Sequence, residues 1–352
     1  MANEAKYSFS VVNVGQGSLQ LIEEGNHINI VIDCNLQAAP EFVKRYFGRR
    51  KVATIDLLIL SGTDADHADA DGLQFLINHY EIKRLWYPNY EKEEETDNWK
   101  AVRKLIAGLE KNGTIVETPQ AGHSFNLGTL NLKVLSPHVD DCDSSNNASI
   151  VVRIIADEVS AVFPGDCEVL RWENILKYFK NHLPANILLV PHHGSDNGCN
   201  EEVLKAMNPE YSVISAGEDN KYGHPDKSTL KLLGKYTTKN VYITFEDGSI
   251  LFESDGKTIT NVVTNAGQDD EGKKQAVAAV AASLGGKAPV FVTGTGALRI
   301  AAASGRVALR STVSHGGEKA ETEEQEGDTR SLTRSLPPRL QECLKCSEKS
   351  AK

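Results

Sequence analysis

No run of the 352-residue chain is apolar over the roughly 20 residues a helix needs to cross a bilayer, so a membrane channel is excluded for this chain alone. The first residues, Met1 to Lys6, lack the apolar core of a secretion signal, and a cytoplasmic location is the expectation. Cysteine is sparse: six, scattered, too few and too spread for a disulfide framework. No G-x-G-x-x-G follows the first predicted strand and no P-loop occurs, so nucleotide-cradling folds lose support. Basic residues are also in deficit, 38 Lys and Arg against 48 Asp and Glu, for a net charge of -10. That balance argues against broad, charge-driven binding of nucleic acid while leaving room for a local basic groove. What is present is ordinary for a soluble globular chain, 40% apolar and 24% charged, and long enough for one large domain plus an appendage or for two domains.

Strand-like segments dominate the first 265 residues. Tyr7 to Val14, Leu19 to Ile22 and Ile28 to Ile32 read as a small antiparallel sheet, with Gly15-Gln16-Gly17 as a turn and Asp33-Cys34-Asn35 closing it. Helices are predicted over Pro40 to Arg50, Leu73 to Tyr80, Asp97 to Lys111 and Val169 to Phe179, with shorter ones at Glu201 to Met207 and Lys227 to Leu233. Leu57 to Leu60 and Asn186 to Val190 read as fully buried strands, each emptying into a polar loop. Two strand-rich halves with interspersed helices predict sheets packed face to face with helices outside, not a doubly wound parallel sheet. After residue 265 the composition shifts to an Ala- and Gly-rich stretch and then to a polar, charged one. A low-complexity tail over 266–352, largely disordered or weakly structured, is the expectation; Cys343 and Cys346 are half of a zinc spacing without a second half.

The chemistry concentrates in loops at strand ends. Ser61 to Gly72 carries Asp64, Asp66, His67, Asp69 and Asp71. Crowded carboxylates repel and raise one another's pKa values, and a divalent cation removes that repulsion; a solvated acidic loop is the bland alternative. Three further segments match in type: Pro164-Gly165-Asp166, Val190-Pro191-His192-His193-Gly194-Ser195 and Lys221-Tyr222-Gly223-His224-Pro225. Singly, a strand-end aspartate is a turn former and a lone histidine is structural. Together they supply imidazole and carboxylate ligands for one metal site.

With Val14-Gly15-Gln16-Gly17, these motifs occur in an order that resembles the metallo-β-lactamase superfamily, closest to the hydrolase domain of the ComEC competence proteins. The resemblance runs from about Tyr7 to Val263. It implies an α/β fold, an αββα sandwich of two facing mixed β-sheets flanked by helices, holding one or two divalent ions, Zn or Mn foremost. It assigns Asp64, Asp66, His67, Asp166 and His192 to the metal, with His193 and His224 as competitors for the last place or as contacts to substrate. The motif's first histidine is replaced by Gly62, and Asn146 or Asn147 stands where many relatives place a further histidine. Asp69 or Asp71 could compensate as oxygen ligands.

The implied activity is metal-dependent hydrolysis of a phosphodiester in a nucleic acid or nucleotide. Asp64 or Asp66 would orient water as a base, and Lys221, Tyr222, His193 and His224 would contact substrate. Two alternatives remain at this point: hydrolysis of a different ester or lactam, and a binding or regulatory subunit without turnover, since function belongs to the site and not to the fold.

Overall fold

The computed structural model describes residues 5–25, 27–37, 39–90, 95–138, 144–267, 301–303 and 306–308. Packing divides the chain into one unit over Met1–Gly267 and another over Gln268–Lys352. The first unit holds strands β1 (Tyr7–Val11), β2 (Gln20–Glu24), β3 (Ile28–Ile32), β4 (Thr54–Ile55), β5 (Leu57–Ile59), β6 (Glu81–Ile82), β7 (Arg84–Trp86) and β8 (Ile115–Glu117). It continues with β9 (Ser124–Leu127), β10 (Leu130–Ser136), β11 (Val151–Ala156), β12 (Val159–Phe163), β13 (Ile187–Leu189), β14 (Tyr211–Ile214), β15 (Asn240–Ile243), β16 (Ile250–Ser254) and β17 (Ile259–Val263). The helices are α1 (Pro40–Arg49), α2 (Ala70–His79), α3 (Asp97–Lys111), α4 (Val169–Phe179), α5 (Glu201–Met207), α6 (Lys227–Tyr236) and the single turn α7 (Thr244–Asp247).

Strand alternation builds three cores. Along β3, Ile30 and Ile32 face one core while Val31 faces another; along β5, Leu57 and Ile59 divide from Leu58 in the same way. The shared inner core also takes Leu130, Leu132 and Val134 of β10 and Val159, Ala161 and Phe163 of β12, so the two sheets pack face to face. The outer face of the first sheet is covered by α1, α2 and α3 through Phe47, Leu73 and Trp99. That of the second is covered by α4, α5 and α6 through Trp172, Leu204 and Leu233. The result is the αββα sandwich.

The first sheet runs β17-β16-β1-β2-β3-β5-β7-β8 and the second β15-β14-β13-β12-β11-β10-β9. Both are mixed. Pairing is antiparallel through β1, β2 and β3 and parallel through β3, β5, β7 and β8. It is antiparallel through β10, β11 and β12 and parallel through β12, β13, β14 and β15. In each sheet, parallel strands therefore bring several carboxyl ends to one edge, where sheets of this kind place their ligands.

Helix α2 and strand β9, besides the two-residue strands β4 and β6, depart from the sequence reading. Helix α2 begins at Ala70, earlier than the expected Leu73, because Asp69 caps it: its Oδ2 accepts a hydrogen bond from Gly72 N at 2.8 Å. Strand β9, a short half-exposed hairpin partner of β10, escaped detection because it alternates without a strong apolar face. In the second unit, β18 (Ala301–Ala303) pairs antiparallel with β19 (Arg306–Ala308). Apart from 266–267, 301–303 and 306–308, the tail expected over 266–352, with its Cys343 and Cys346, lies outside the described residues.

Candidate metal centre

Asp66, His67, Asp166 and His193 each offer a ligand atom, all within 4.8 Å of one another. They come from three strand ends: the loop after β5, the turn after β12 and the turn after β13. Ser61 ties the loops together, its carbonyl accepting from Ile150 N at 2.8 Å. Gly165 is left-handed (φ 57°), and a Cβ there would come within 2.8 Å of Ser61 Oγ, so only glycine lets the Asp166 turn approach the β5 end so closely.

Each histidine has its tautomer set by a partner that can only accept. His67 Nδ1 lies 2.8 Å from Asp33 Oδ2, and the same carboxylate accepts from Ser61 N at 2.7 Å and Ser61 Oγ at 2.9 Å. His193 Nδ1 donates to the Ser215 carbonyl at 2.7 Å. Both Nε2 atoms therefore carry a lone pair when neutral, and both face the same carboxylates. His67 Nε2 lies 2.8 Å from Asp166 Oδ1; His193 Nε2 lies 3.6 Å from Asp66 Oδ2 and 3.7 Å from Asp166 Oδ1. His67 Nε2, Asp166 Oδ1 and His193 Nε2 are nonetheless buried without a hydrogen bond. Orphaned buried polar atoms are costly, and three of them converging from lone-pair bearers fit a divalent cation bound by nitrogen and oxygen.

Titration points the same way. Burial opposes ionisation of Asp166, but His67 and His193 outweigh it and hold the carboxyl well below the usual range. Asp66 is lowered too, its burial outweighed by the neighbouring imidazoles of His193 and His67. Burial also opposes charge on His67, yet Asp166 and Asp33 raise it well above its ordinary value. His193 is raised against the same penalty by Asp166 and Asp66. Protons thus fill the role that a cation would take over on binding.

The backbone at this turn is strained. His192 (φ 52°, ψ 45°), His193 (φ 51°, ψ 21°) and Gly194 (φ 86°) are left-handed in succession. Non-glycine residues hold such a conformation only where surrounding structure imposes it, and functional sites are where it recurs. The Gly15-Gln16-Gly17 turn braces the site: Ser215 Oγ donates to Gly17 O at 2.9 Å and Ser18 N to Asp66 O at 2.9 Å.

The structure distributes the sequence-expected residues as follows. Asp66, His67 and Asp166 converge, and His193 stands in the place given to His192. His192 turns away: its Nδ1 donates to Asn197 Oδ1 at 2.9 Å, with Glu168 at 3.8 Å. Asp64 is not one of the four converging side chains. Asp69 is occupied as a helix cap and Asp71 is exposed on the first turn of α2, so neither stands in for the missing ligand. Asn146 is hydrogen-bonded to Glu168. Gly62 lies beside His67, where a Cβ would find ordinary contact at 3.6 Å.

His224, Tyr222 and Lys221 form a rim. The His192 and His224 rings meet edge-on at 5.8 Å, Tyr222 stacks on His224 at 5.8 Å, and Lys221 Nζ sits 4.7 Å over the Tyr222 ring. Burial lowers the His224 pKa, and its Nδ1 faces Asp226 Oδ2 at 3.1 Å.

Asp33 is the residue the sequence reading missed. The sequence pattern alone makes it the close of a strand. The signal lay in pairing: β3 and β5 run parallel with Ile32 opposite Ile59, which sets the residue after β3 beside the β5 exit.

No family model matches the chain. Its sequence is 30% identical over 201 residues to ComE operon protein 3 of Bacillus subtilis, covering 57% of this chain and 25% of that protein. It is 24% identical over 234 residues to competence protein ComA of Neisseria gonorrhoeae, covering 64% of this chain and 29% of that protein. The chain thus spans between a quarter and a third of the length of these two relatives. Among solved structures it is similar to the metallo-β-lactamase fold protein YhfI from Bacillus subtilis, with a TM-score of 0.48, 14% identity, and coverage of 71% of this chain and 100% of that one.

Proposed function

Starting from a chain that has the metallo-β-lactamase fold and a sequence similar to competence proteins of the ComEC type, we propose a metal-dependent hydrolase of phosphodiesters. The observation that carries this reading is the convergence of three orphaned buried ligand atoms with Asp66. Asp66, His67, Asp166 and His193 would hold one cation. When bound, a divalent ion acidifies water and polarises a phosphoryl oxygen. Gly62 offers no ligand and Asp64 is not among the four converging side chains, which favours a single ion over a pair.

The remaining steps belong to the chain's own groups. Asp33 and the Ser215 carbonyl fix the two imidazoles with Nε2 toward the centre. His224, neutral near pH 7, keeps Nδ1–H on Asp226 and presents Nε2 to take a proton. Tyr222, 53% exposed, and Lys221 offer a phenol and an ammonium to a phosphate at the rim. A substrate with a phosphodiester is supported by this rim of phenol, ammonium and imidazole, and the similarity to competence proteins supports nucleic acid as its source. Among the described residues no helix is long and apolar enough to cross a membrane.

The test is metal content of protein purified without chelator, paired with hydrolysis of bis(p-nitrophenyl) phosphate in Mn or Zn. About one equivalent of metal and turnover, both lost in Asp166→Ala, is the expected result. Metal without turnover on any phosphodiester would transfer the reading to a binding subunit, and no metal after Mn is added back would end it.

A further inference from the structure

The Gly15-Gln16-Gly17 turn, in the loop between β1 and β2, carries a side chain whose role the brace of the backbone leaves unexplained. Gln16 is half-buried, and its Oε1 accepts from Gly217 N at 3.0 Å. A backbone N–H can only donate, so this bond fixes the amide's orientation: the oxygen faces Gly217 and the NH2 group points away from it. The backbone is held as well. Gln16 N donates to Gln37 Oε1 at 3.2 Å, and Gly217 packs so closely that a Cβ there would lie 2.9 Å from Gln16 N. Yet Nε2, the end so carefully aimed, is buried and has no hydrogen-bond partner among the described residues. A buried amide donor left unpaired is costly, and a native chain retains one where something else supplies the acceptor.

Two sets of tethers tie Gln16 to the centre. On one side, Ser18 N donates to Asp66 O at 2.9 Å and Gly17 O accepts from Ser215 Oγ at 2.9 Å; the Ser215 carbonyl is the group that orients His193. On the other, Gly217 leads to the rim. Asn220 Nδ2 donates to Gly217 O at 3.0 Å and to His224 O at 2.6 Å, while Asn220 Oδ1 accepts from His224 N at 3.1 Å and Tyr222 N at 3.2 Å. Gln16 therefore joins the segments that carry Asp66 and His193 to the one that carries Tyr222 and His224.

The unpaired atoms here are of two opposite kinds. His67 Nε2, Asp166 Oδ1 and His193 Nε2 are lone-pair bearers, which a cation satisfies. Gln16 Nε2 bears only protons, so a cation leaves it unsatisfied and an anionic oxygen completes it. We propose that Gln16 is a substrate contact whose Nε2 donates to a non-bridging oxygen of the phosphodiester. The proposal rests on the hydrolase reading for its substrate, although the contact itself needs no cleavage. A neutral amide holds that oxygen without cancelling its charge. Non-bridging oxygens are charged before and during phosphoryl transfer, so the contact acts on substrate and transition state alike, and its loss belongs in KM and not in kcat.

Two variants of the full chain separate the donor from its charge. Gln16→Glu keeps the shape and an oxygen for Gly217 N but puts an acceptor where the donor was. Gln16→Met removes the donor and stays neutral. On bis(p-nitrophenyl) phosphate with Mn, KM should rise about tenfold in Gln16→Met and further in Gln16→Glu, with kcat within about threefold, the scale of one hydrogen bond to a charged acceptor. Metal affinity and melting temperature should match the unmodified protein. Gln74→Glu, the same exchange on the exposed side of α2, should leave KM unchanged and so sets aside charge alone. A second measurement needs no turnover: in the zinc-loaded, 15N-labelled chain, the side-chain amide signal that Gln16→Glu lacks should shift as dimethyl phosphate is added. Unchanged KM in both variants, a loss of kcat or of bound metal in place of the KM change, or an amide signal that does not move would each overturn the proposal. A shifting signal in a chain that hydrolyses no phosphodiester would sink the hydrolase reading alone; turnover indifferent to both variants would sink this contact alone.

Discussion

Replacing Asp33 by Asn tests whether the cluster is a metal site held from behind. Asp33 is 1% exposed and accepts three hydrogen bonds, two from Ser61 and one from His67 Nδ1. Asn keeps the shape but brings an amide donor. If that donor faces His67 Nδ1, the imidazole must place its own proton on Nε2, the atom needed as ligand; if the amide oxygen faces it, the tautomer survives without the negative charge. Either way the ligand is weakened, and loss of such a supporting carboxylate costs about 10–100-fold in metal affinity, or about 1.4–2.8 kcal/mol. A second effect has the opposite sign. Asp33 is one of the groups that raise the His67 pKa, so removing its charge lowers that pKa and eases proton competition. The affinity of Asp33→Asn for Zn or Mn, measured by competition with a chromophoric chelator from pH 6 to 9, should fall in its high-pH plateau. Its dependence on pH should become shallower than in the unmodified protein. An unchanged plateau with unchanged pH dependence would refute the assignment of Asp33 as support for a ligand.

His193→Ala should cost at least about 100-fold in metal affinity, whereas His192→Ala should keep it within about threefold, read by the same competition titration; the reverse ranking would restore the ligand expected from sequence. Asp69→Ala should lower stability by about 1 kcal/mol through loss of the α2 cap, with metal stoichiometry unchanged in elemental analysis; a drop in bound metal would return Asp69 to the ligand set. The pH dependence of metal-free stability follows from the shifted groups. His67 and His193 are raised, so their stabilising contribution is complete below about 6.5 and is lost as pH climbs through their folded values. Asp66 and Asp166 are lowered, so theirs is present above about 3.9 and lost as pH falls through their folded values. The metal-free melting temperature should therefore decline on the alkaline side, and the upshift on adding Mn or Zn should be largest there; an upshift that does not grow with pH, followed by scanning fluorimetry, would contradict the proton-for-metal exchange.

The sandwich was legible because its signals are local. Buried runs such as Leu57-Leu58-Ile59-Leu60 need both faces covered, and alternation in Tyr7-Ser8-Phe9-Ser10-Val11 sends aromatic and aliphatic groups into the shared core while the serines meet Glu23 and Tyr46 behind it. Helix α3 announced itself through the spacing of Trp99, Val102, Ile106 and Leu109, and the structure adds a cap of Thr96 on Trp99 N that the sequence reading did not use. The two-residue strands β4 and β6 did not, because a pair that short is held by its neighbours and not by any pattern of its own.

The site was legible only as far as residue type goes. Sequence identifies four loops rich in acids and histidines, yet which atoms meet depends on register between strands distant along the chain and on local handedness. Two histidines in succession at a strand end ought to point to opposite sides. At Pro191–Gly194 the backbone instead coils left-handed, turns His193 inward to the Ser215 carbonyl and leaves His192 against Asn197. The same limit explains Asp69. A carboxylate just ahead of an amphipathic run is also the group that helix α2 needs at its start, and a hydrogen bond to Gly72 N satisfies it without any ion. An acidic loop is therefore not one electrostatic unit. One of its carboxylates points into the centre beside His67, one begins a helix and one faces solvent, and it is the two sheets' shared edge that makes the division.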